Sequence, residues 1–305
     1  MKFAPVLLAA VLALLAAGCG SKAEVPTGGR VTVTVSQDFG ETRLAPTRGQ
    51  TAAEEDTVLD VLERSQFEVR ATGADVDEID GLSGGRQDGK PVEWYPYVNG
   101  IASLEGAATR KLYKNDRVWY DHHATGSKIE AVVGSFPQPF TGGIDGKKYP
   151  IRLVCMAPED RSCDEVETRL EQAGVRGLTR SNLESSPGQV LRVLVGTWKE
   201  LRKDIAAREL EKGPTVSGVF AKPNAAGDQI ELLGPDGAAV KALGPGTGLV
   251  AATTFLEQRP TWLITGTDDV GVAAAAAALT EDMLRFRFAL AIEAGQGVPL
   301  PVETP

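Results

Sequence analysis

Side chains that could bind a ligand or a metal are concentrated in residues 92–123. This segment holds both histidines of the chain, four of its five tyrosines and two of its four tryptophans. Aromatic rings can stack on a flat ligand, and a neutral imidazole is a common metal ligand. Large aromatic residues also fill the cores of small sheets. The segment therefore fits a ligand surface, a metal site or a sheet core.

The first part of this segment predicts a tight hairpin. "VEWYPYV" and "IASL" are extended runs joined by Asn99-Gly100, a dipeptide that accepts positive φ at both turn positions. Since side chains alternate along a strand, Trp94 and Val98 share one face, while Tyr95 and Tyr97 share the other with Asn99. At least one of the two faces must be core.

The second part, "RVWYDHH", predicts a further strand after the turn "YKND". Alternation places Tyr120 and His122 on one face, and Trp119 and His123 on the other. The two histidines therefore point apart and do not form a joint metal site. We regard the tryptophans as core residues and the polar aromatic edge as the candidate ligand face. Its residues are Tyr95, Tyr97, Asn99, Tyr120 and His122.

Two glycine-containing segments in the second half are further candidates. "LGPGTGLVAA" places Gly246 and Gly248 before an expected helix, "GLVAATTFLEQ", where free amide groups could bind an anion. "TWLITGTDDVGV" ends a strand at Thr267 and Asp268, a position where open α/β sheets often bind ligands. A simple loop, with Asp268 as the N-cap of the next helix, explains the same residues without a ligand.

The beginning of the chain has the pattern of an export signal. Lys2 precedes an apolar run at residues 6–17 that is too short to span a bilayer. "LLAAGCGSK" resembles the lipobox of bacterial lipoproteins, which implies that Cys19 is diacylated and becomes the mature N-terminus. A plain secretory signal with another cleavage site is the alternative. Either reading predicts an extracytoplasmic protein, and the first predicts one anchored in the membrane lipid of a bacterium.

The other two cysteines are eight positions apart. In an oxidising compartment, Cys155 and Cys163 can close a short loop, so we predict a disulfide. A pair of buried free thiols is the alternative. The chain shows neither a CxxC redox motif nor a recognised spacing of metal ligands, and we expect no metal.

The elements around these residues predict two domains. "RVTVTVSQDFG" alternates valine with threonine and serine, as in a half-buried strand, and "TVLDVLERS" has helical spacing after a cap at Thr57 or Asp56. "FEVRATGADVDEIDGL" predicts a strand, a polar turn and a second strand. These elements and the hairpin predict a β-grasp-like sheet with one helix.

From Tyr149 onward, strands alternate with helices, which predicts an α/β layered domain with a mixed sheet. "WKELRKDIAARELEKGP" is expected as a charged surface helix and "DDVGVAAAAAALTEDMLRFRFAL" as the last helix. The predicted fold class is α+β. The predicted divisions are a signal peptide at 1–18, a flexible tether at 19–30, a first domain at 31–124, a linker at 125–148, the α/β domain at 149–292 and a C-terminal tail at 293–305.

The first domain resembles a known family. "TVLDVL", "IDGL", "EWYPYVNGI" and "KLYKNDRVWYDHH" occur in the order found in the bacterial domain family related to the C-terminal domain of transcobalamin and intrinsic factor. The resemblance covers roughly residues 31–124 and implies a β-grasp-type fold that binds a corrinoid or another small ligand. Asn115 stands where the family commonly has glycine, and asparagine tolerates the left-handed conformation.

Composition narrows the remaining functions. The chain is 42% hydrophobic and 24% charged, with a net charge of −9, and it has no basic run, so we expect no nucleic-acid partner. We find no GxSxG elbow or reactive cysteine and expect no enzyme and no required cofactor. Two hypotheses remain. One is a lipid-anchored capture protein for a small molecule, such as a corrinoid, that serves a membrane transporter, and the other is a structural or protein-interaction lipoprotein of the envelope.

Overall fold

The computed structural model describes residues 29–87, 89–157, 161–183, 189–256 and 259–303. This part of the chain is α+β, as predicted, and each half is built around one seven-stranded sheet. The elements of the first half are β1 (Gly29–Gln37), β2 (Thr42–Arg43), β3 (Arg48–Ala52), α1 (Val58–Arg64), β4 (Val69–Thr72), β5 (Asp75–Ile79), β6 (Leu82–Ser83), β7 (Gly85–Gln87), β8 (Lys90–Val98), β9 (Ile101–Ala102) and β10 (Arg117–Ala124).

The first sheet has the strand order β2-β1-β10-β8-β7, and β3 and β9 pair with β1 and β8. Its central strands β1 and β10 are parallel, and β10 and β8 are antiparallel. Strands β4, β5 and β6 form a separate small antiparallel sheet. Helix α1 begins at the predicted cap: Asp60 N donates to Thr57 Oγ1, and Thr57 N donates to Asp60 Oδ2. Its buried face packs on the first sheet.

The two predicted turns of this half adopt the expected backbone. Asn99 and Gly100 have φ of 55° and 77°, as a tight hairpin requires, and they connect β8 to β9. Asn115 has φ of 70°, so it occupies the left-handed region in which glycine would also fit.

The second half contains strands, short helices and one 3₁₀ helix. Its elements are β11 (Ile151–Cys155), α2 (Arg161–Gln172), β12 (Leu178–Ser181), β13 (Leu191–Thr197), α3 (Trp198–Leu201), α4 (Ile205–Arg208), a 3₁₀ helix (Glu209–Lys212), α5 (Pro214–Ser217), β14 (Ala221–Pro223), β15 (Ile230–Leu233), β16 (Ala239–Leu243), β17 (Gly248–Thr253), β18 (Thr261–Gly266), α6 (Asp269–Ala277), α7 (Glu281–Leu284), β19 (Ala289–Glu293) and β20 (Gln296–Leu300).

The second sheet is mixed, with the order β12-β11-β13-β18-β17-β19-β20. Its first four strands are parallel, and β17, β19 and β20 are antiparallel. Cys155, at the end of β11, is disulfide-bonded to Cys163 in α2, with a Cα–Cα separation of 6.0 Å. The bond fastens α2 to the sheet on which Val166 and Leu170 pack.

Three expected helices differ from the structure. The segment beginning at Gly248 is strand β17, whose six residues are all buried and which pairs on both sides, with β18 and β19. A short apolar run of this kind fits a buried strand as well as a helix by periodicity. The segment expected as the last helix forms two shorter helices, α6, which ends at Ala277, and α7, and the residues after Phe288 form β19. The charged helix is divided into α3, α4 and the 3₁₀ helix. Residues 296–300, expected in the tail, form strand β20.

Both faces of the first sheet are buried. On one face, Trp94 and Tyr120 pack with the residues of α1. On the other, Tyr97 and Trp119 join a core that includes Phe288 of the second half. The linker packs in two places, since Val132 joins this core, whereas Val133 and Phe136 join a core of the second half. The half-buried strand expected for β1 is therefore buried on both sides.

Candidate functional site

Four of the five predicted ligand residues are covered by protein. Tyr97, Asn99, Tyr120 and His122 are each no more than 1% exposed, while Tyr95 is half-buried. The sequence predicts an exposed polar aromatic edge, and the structure does not have one. The physical reason is that the second half of the chain covers the Tyr95 and Tyr97 face, and the strands β4 to β6 and helix α1 cover much of the other.

The side-chain amide of Asn99 forms hydrogen bonds within the protein at both its nitrogen and its oxygen. Its Nδ2 donates to Asp116 Oδ1 at 2.7 Å and to Gly143 O at 3.0 Å, and its Oδ1 accepts from Arg117 N. Burial raises the pKa of Asp116 to about 6. Asn99 therefore holds the hairpin against the linker, and both of its N–H donors are used within the protein.

The two histidines point to opposite faces, as predicted. His122 Nε2 lies 3.1 Å from Ser83 O, and its ring lies 5.0 Å from that of Trp94. His123 stacks on Tyr95 at a centroid distance of 4.2 Å, and its Nδ1 lies 2.7 Å from Asp121 Oδ1. Among the described residues, no group of three or more His, Cys, Asp or Glu side chains is arranged to hold a metal.

Asp121 is the centre of a buried polar cluster that the sequence did not reveal. Its carboxylate accepts from Ser36 Oγ at 2.5 Å and from the amides of Phe39 and Gly40 at 3.0 and 2.8 Å, besides its contact with His123. Ser36 Oγ also accepts from Trp119 Nε1. Although the residue types are those of a catalytic triad, the aspartate, not the histidine, contacts the serine. This arrangement does not activate a nucleophile.

The turn held by Asp121 connects the two halves. Asp38 and Phe39 have φ of 56° and 58°, an unusual conformation for residues other than glycine. It directs the Phe39 ring to within 5.1 Å of Phe220 and 5.3 Å of Phe288, by centroid distance. The buried carboxylate therefore fixes the turn that places an aromatic ring in the core of the second half.

A cavity of about 530 Å³ lies on the first half, and we call it the Tyr120 cavity. This volume is in the range of small-molecule sites. Its lining residues come from the small β4-β5-β6 sheet, the neighbouring turns and strands β8 and β10. They are Arg70, Asp75, Val76, Asp77, Ser83, Gly84, Gly85, Glu93, Trp94, Pro96, Ala107 and Tyr120.

Tyr120 is the predicted ligand residue that lines this cavity. Its hydroxyl oxygen is buried and has no hydrogen-bond partner among the described residues. Burial, and then the charge of Asp75, raise the pKa of Tyr120 above its ordinary value, so the hydroxyl keeps its proton and can both donate and accept. A buried hydroxyl without a partner is costly, so it marks a position where a ligand group could gain binding energy.

The cavity has an excess of negative charge. Asp75, Asp77 and Glu93 line it, and none of them forms an ion pair with another described residue. The single guanidinium, that of Arg70, is already paired with Glu78 at 2.7 Å. The sequence analysis missed these residues, and because β5 pairs with β4 in an irregular register, strand alternation does not decide which of its side chains share a face.

The second candidate site is occupied by its own side chains. Asp268 Oδ2 accepts from Gly246 N at 2.8 Å, and Asp268 Oδ1 accepts from Gly271 N as the N-cap of α6. Thr267 Oγ1 accepts from Thr247 N and lies 3.1 Å from Gly244 O. The amide of Gly246 is therefore taken by a carboxylate, and the loop is a helix cap, which was the alternative reading.

Gly248 and its neighbours have a packing role instead. A Cβ on Gly271 would lie 2.1 Å from Thr247 O, and one on Gly248 would lie 2.5 Å from Gly271 O. Only residues without a Cβ allow the start of α6 to approach strand β17 this closely.

The N-terminal signal and the predicted lipid attachment at Cys19 fall outside the described residues. Within the described ranges, no helix combines the length and apolar character needed to cross a bilayer.

Comparisons with known proteins give weak likenesses only. No family model and no curated protein matches the chain. Nineteen chains of known structure match. One, from Ruminococcus gnavus ATCC 29149, is described as a "putative metal binding protein" and has a TM-score of 0.27 and 14% identity, covering 32% of this chain and 98% of its own. Another is haptocorrin in complex with Cbi, with a TM-score of 0.26 and 15% identity, covering 33% of this chain and 26% of its own.

Proposed function

We propose that this chain is an exported, lipid-anchored protein that binds a small molecule in the Tyr120 cavity and serves as an accessory to uptake. The observation that carries the proposal is the buried Tyr120 hydroxyl, which has no partner among the described residues and belongs to a side chain that lines a cavity of about 530 Å³. Acylation of Cys19 and a transporter partner rest on the lipobox-like sequence. The role is binding and not catalysis.

The binding test is a titration of tryptophan fluorescence, using the full chain purified in detergent. Trp94 lines the cavity and is its reporter. The corrinoids cobalamin and cobinamide, together with haem, are the first ligands to test, because the sequence resemblance implies a corrinoid. Saturable quenching that calorimetry reproduces would support binding.

A matched pair of variants locates the site. Tyr120→Phe removes only the hydroxyl of a tyrosine that lines the cavity, and Tyr113→Phe removes a hydroxyl from a tyrosine that does not line it. Weaker binding in Tyr120→Phe, with normal binding in Tyr113→Phe, would support the cavity. Equal binding by both variants would contradict it.

A structural or protein-interaction lipoprotein is the second candidate. It is favoured by the burial of four of the five predicted ligand residues, which serve the core and the hairpin instead. Absence of binding by every ligand tested, with co-purification of one envelope protein through a defined surface, would support this function.

A further inference from the structure

We propose that the ligand of the Tyr120 cavity is a small organic cation, an amine whose ammonium group lies among Asp75, Asp77 and Glu93 and donates to Tyr120 Oη. This inference rests on the proposed binding function and adds the chemical class of the ligand. It excludes organic anions and predicts that a neutral molecule of the same shape binds more weakly.

The charges of the cavity carry the first step. Three carboxylates line it against one guanidinium, and that guanidinium is neutralised by Glu78 at 2.7 Å. A concave site of one charge sign attracts ions of the opposite sign more strongly than a flat surface does. An anion entering the cavity would meet three like charges.

Tyr120 provides the second, independent step. A group of acidic side chains often binds nothing but water. This group lies beside Tyr120, which is 1% exposed and whose hydroxyl oxygen has no hydrogen-bond partner among the described residues. An ammonium group has three N–H donors and no acceptor. Its donors match two kinds of acceptor here, the carboxylates and the phenol oxygen.

Four of the other lining residues are apolar and suit a carbon framework. Val76, Trp94, Pro96 and Ala107 give the cavity an apolar part next to its acidic part. The indole nitrogen of Trp94 donates to Leu82 O at 2.9 Å, which holds the ring in place. A bare metal ion would leave this apolar part unused, whereas an organic amine would fill it.

The test is calorimetry on the full chain with probes matched in shape and different in charge. Putrescine and glucosamine are the amines, 1,4-butanediol and glucose are their neutral counterparts, glucuronate is the anion and calcium chloride is the metal control. We expect at least one amine to bind, with its neutral counterpart and the anion much weaker. Since each carboxylate supplies a charged acceptor for the ammonium group, Asp75→Asn or Asp77→Asn should weaken the binding of that amine about tenfold or more.

Controls and outcomes separate this inference from the proposed function. Asp282→Asn changes an exposed carboxylate outside the cavity, and this variant should bind the amine normally. Three results would overturn the proposal of an organic cation. They are equal binding of a neutral counterpart, binding of calcium alone, and an undiminished affinity of Asp75→Asn for the amine. If a neutral or anionic ligand binds in a way that depends on Tyr120, the binding function stands and the cation is wrong. If no probe and no corrinoid binds, both fail.

Discussion

Asp121 and His123 lie on the same face of β10, with Asp121 Oδ1 2.7 Å from His123 Nδ1, and neither side chain is more than 1% exposed. The same carboxylate also accepts from Ser36, Phe39 and Gly40. The buried Asp121 side chain therefore holds together strands β1 and β10 and the turn whose Phe39 ring packs on the second half.

We expect Asp121→Asn to destabilise the protein by about 3 kcal/mol, because an amide cannot accept from all four donors and its own N–H groups oppose theirs. Unfolding in urea, followed by tryptophan fluorescence, measures this. Asp282→Asn, a change at an exposed carboxylate, is the control and should be nearly neutral. Equal stability of the two variants would show that Asp121 does not hold the junction.

A second prediction concerns the ion pair of Arg192 and Asp204. Its N···O distances are 2.6 and 3.1 Å, and Asp204 also caps α4. Arg192→Met leaves a buried carboxylate unpaired, so we expect a loss of about 3–5 kcal/mol in the free energy of unfolding. Arg180→Met, which removes an exposed pair with Asp164 and Glu167, should lose less than about 1 kcal/mol. The reverse order would disprove the argument.

Removal of a hydroxyl should stabilise the protein at Tyr97. Its side chain is fully buried, and Tyr97 Oη has no hydrogen-bond partner among the described residues. Tyr97→Phe removes an unsatisfied polar group without changing the ring, so we expect a gain on the order of 1 kcal/mol in the free energy of unfolding. Thermal and urea unfolding measure it. A loss of stability would indicate that the hydroxyl has a favourable interaction after all.

The fourth prediction is a pH dependence at Glu41. A hydrogen bond with Glu303, followed by burial and the charge of Glu303, raises the pKa of Glu41 from its ordinary 4.5 to about 7. Asp38 acts in the same direction, and Arg287 opposes them. Because the folded protein holds this proton more tightly, the contribution of Glu41 to stability is complete below about pH 4.5 and is lost as the pH rises through about 7.

The test is to measure the melting temperatures of the wild type and of Glu41→Gln between pH 4 and 8, at about one pH value per unit. We expect the difference between the two proteins to change in that window, with the wild type losing stability relative to the variant as the pH rises. Glu63→Gln, at an exposed position on α1, is the control. Parallel curves for the wild type and Glu41→Gln would contradict the prediction.

The fifth prediction concerns the disulfide. Cys155 and Cys163 are eight positions apart, and closing a loop of this length stabilises a protein by about 2–3 kcal/mol in the chain-entropy treatment. The double variant Cys155→Ala/Cys163→Ala should lose that amount and should no longer respond to reductant. A wild type whose unfolding midpoint is unchanged by reductant would contradict this.

The first half could be predicted from local signals. The cap at Thr57, the turn at Asn99-Gly100 and the opposite directions of His122 and His123 depend on neighbouring residues and on strand alternation. The burial of Thr34 and Ser36 could not be predicted in this way, since alternation indicates which residues share a face and not what covers that face. Here the cover comes from residues far along the chain, such as Phe288.

The site was only partly predictable for the same reason. Tyr120 was identified as a ligand candidate, but the cavity also needs Asp75 and Asp77 on β5 and Gly84 next to β7, which a single strand pattern does not bring together. Strand β17 was mistaken for a helix because a buried run of six residues lacks a distinguishing period.

The double burial of the first sheet limits how this half could be reused in gene fusions. A polypeptide containing only residues 31–124 would lose the cover over Tyr97, Trp119 and Phe39, and each large aromatic side chain buries about 150–250 Å² in a core. Such a fragment would expose a broad apolar surface and would self-associate. Transplanting the Tyr120 cavity therefore means carrying the second half along or resurfacing the exposed face with polar side chains.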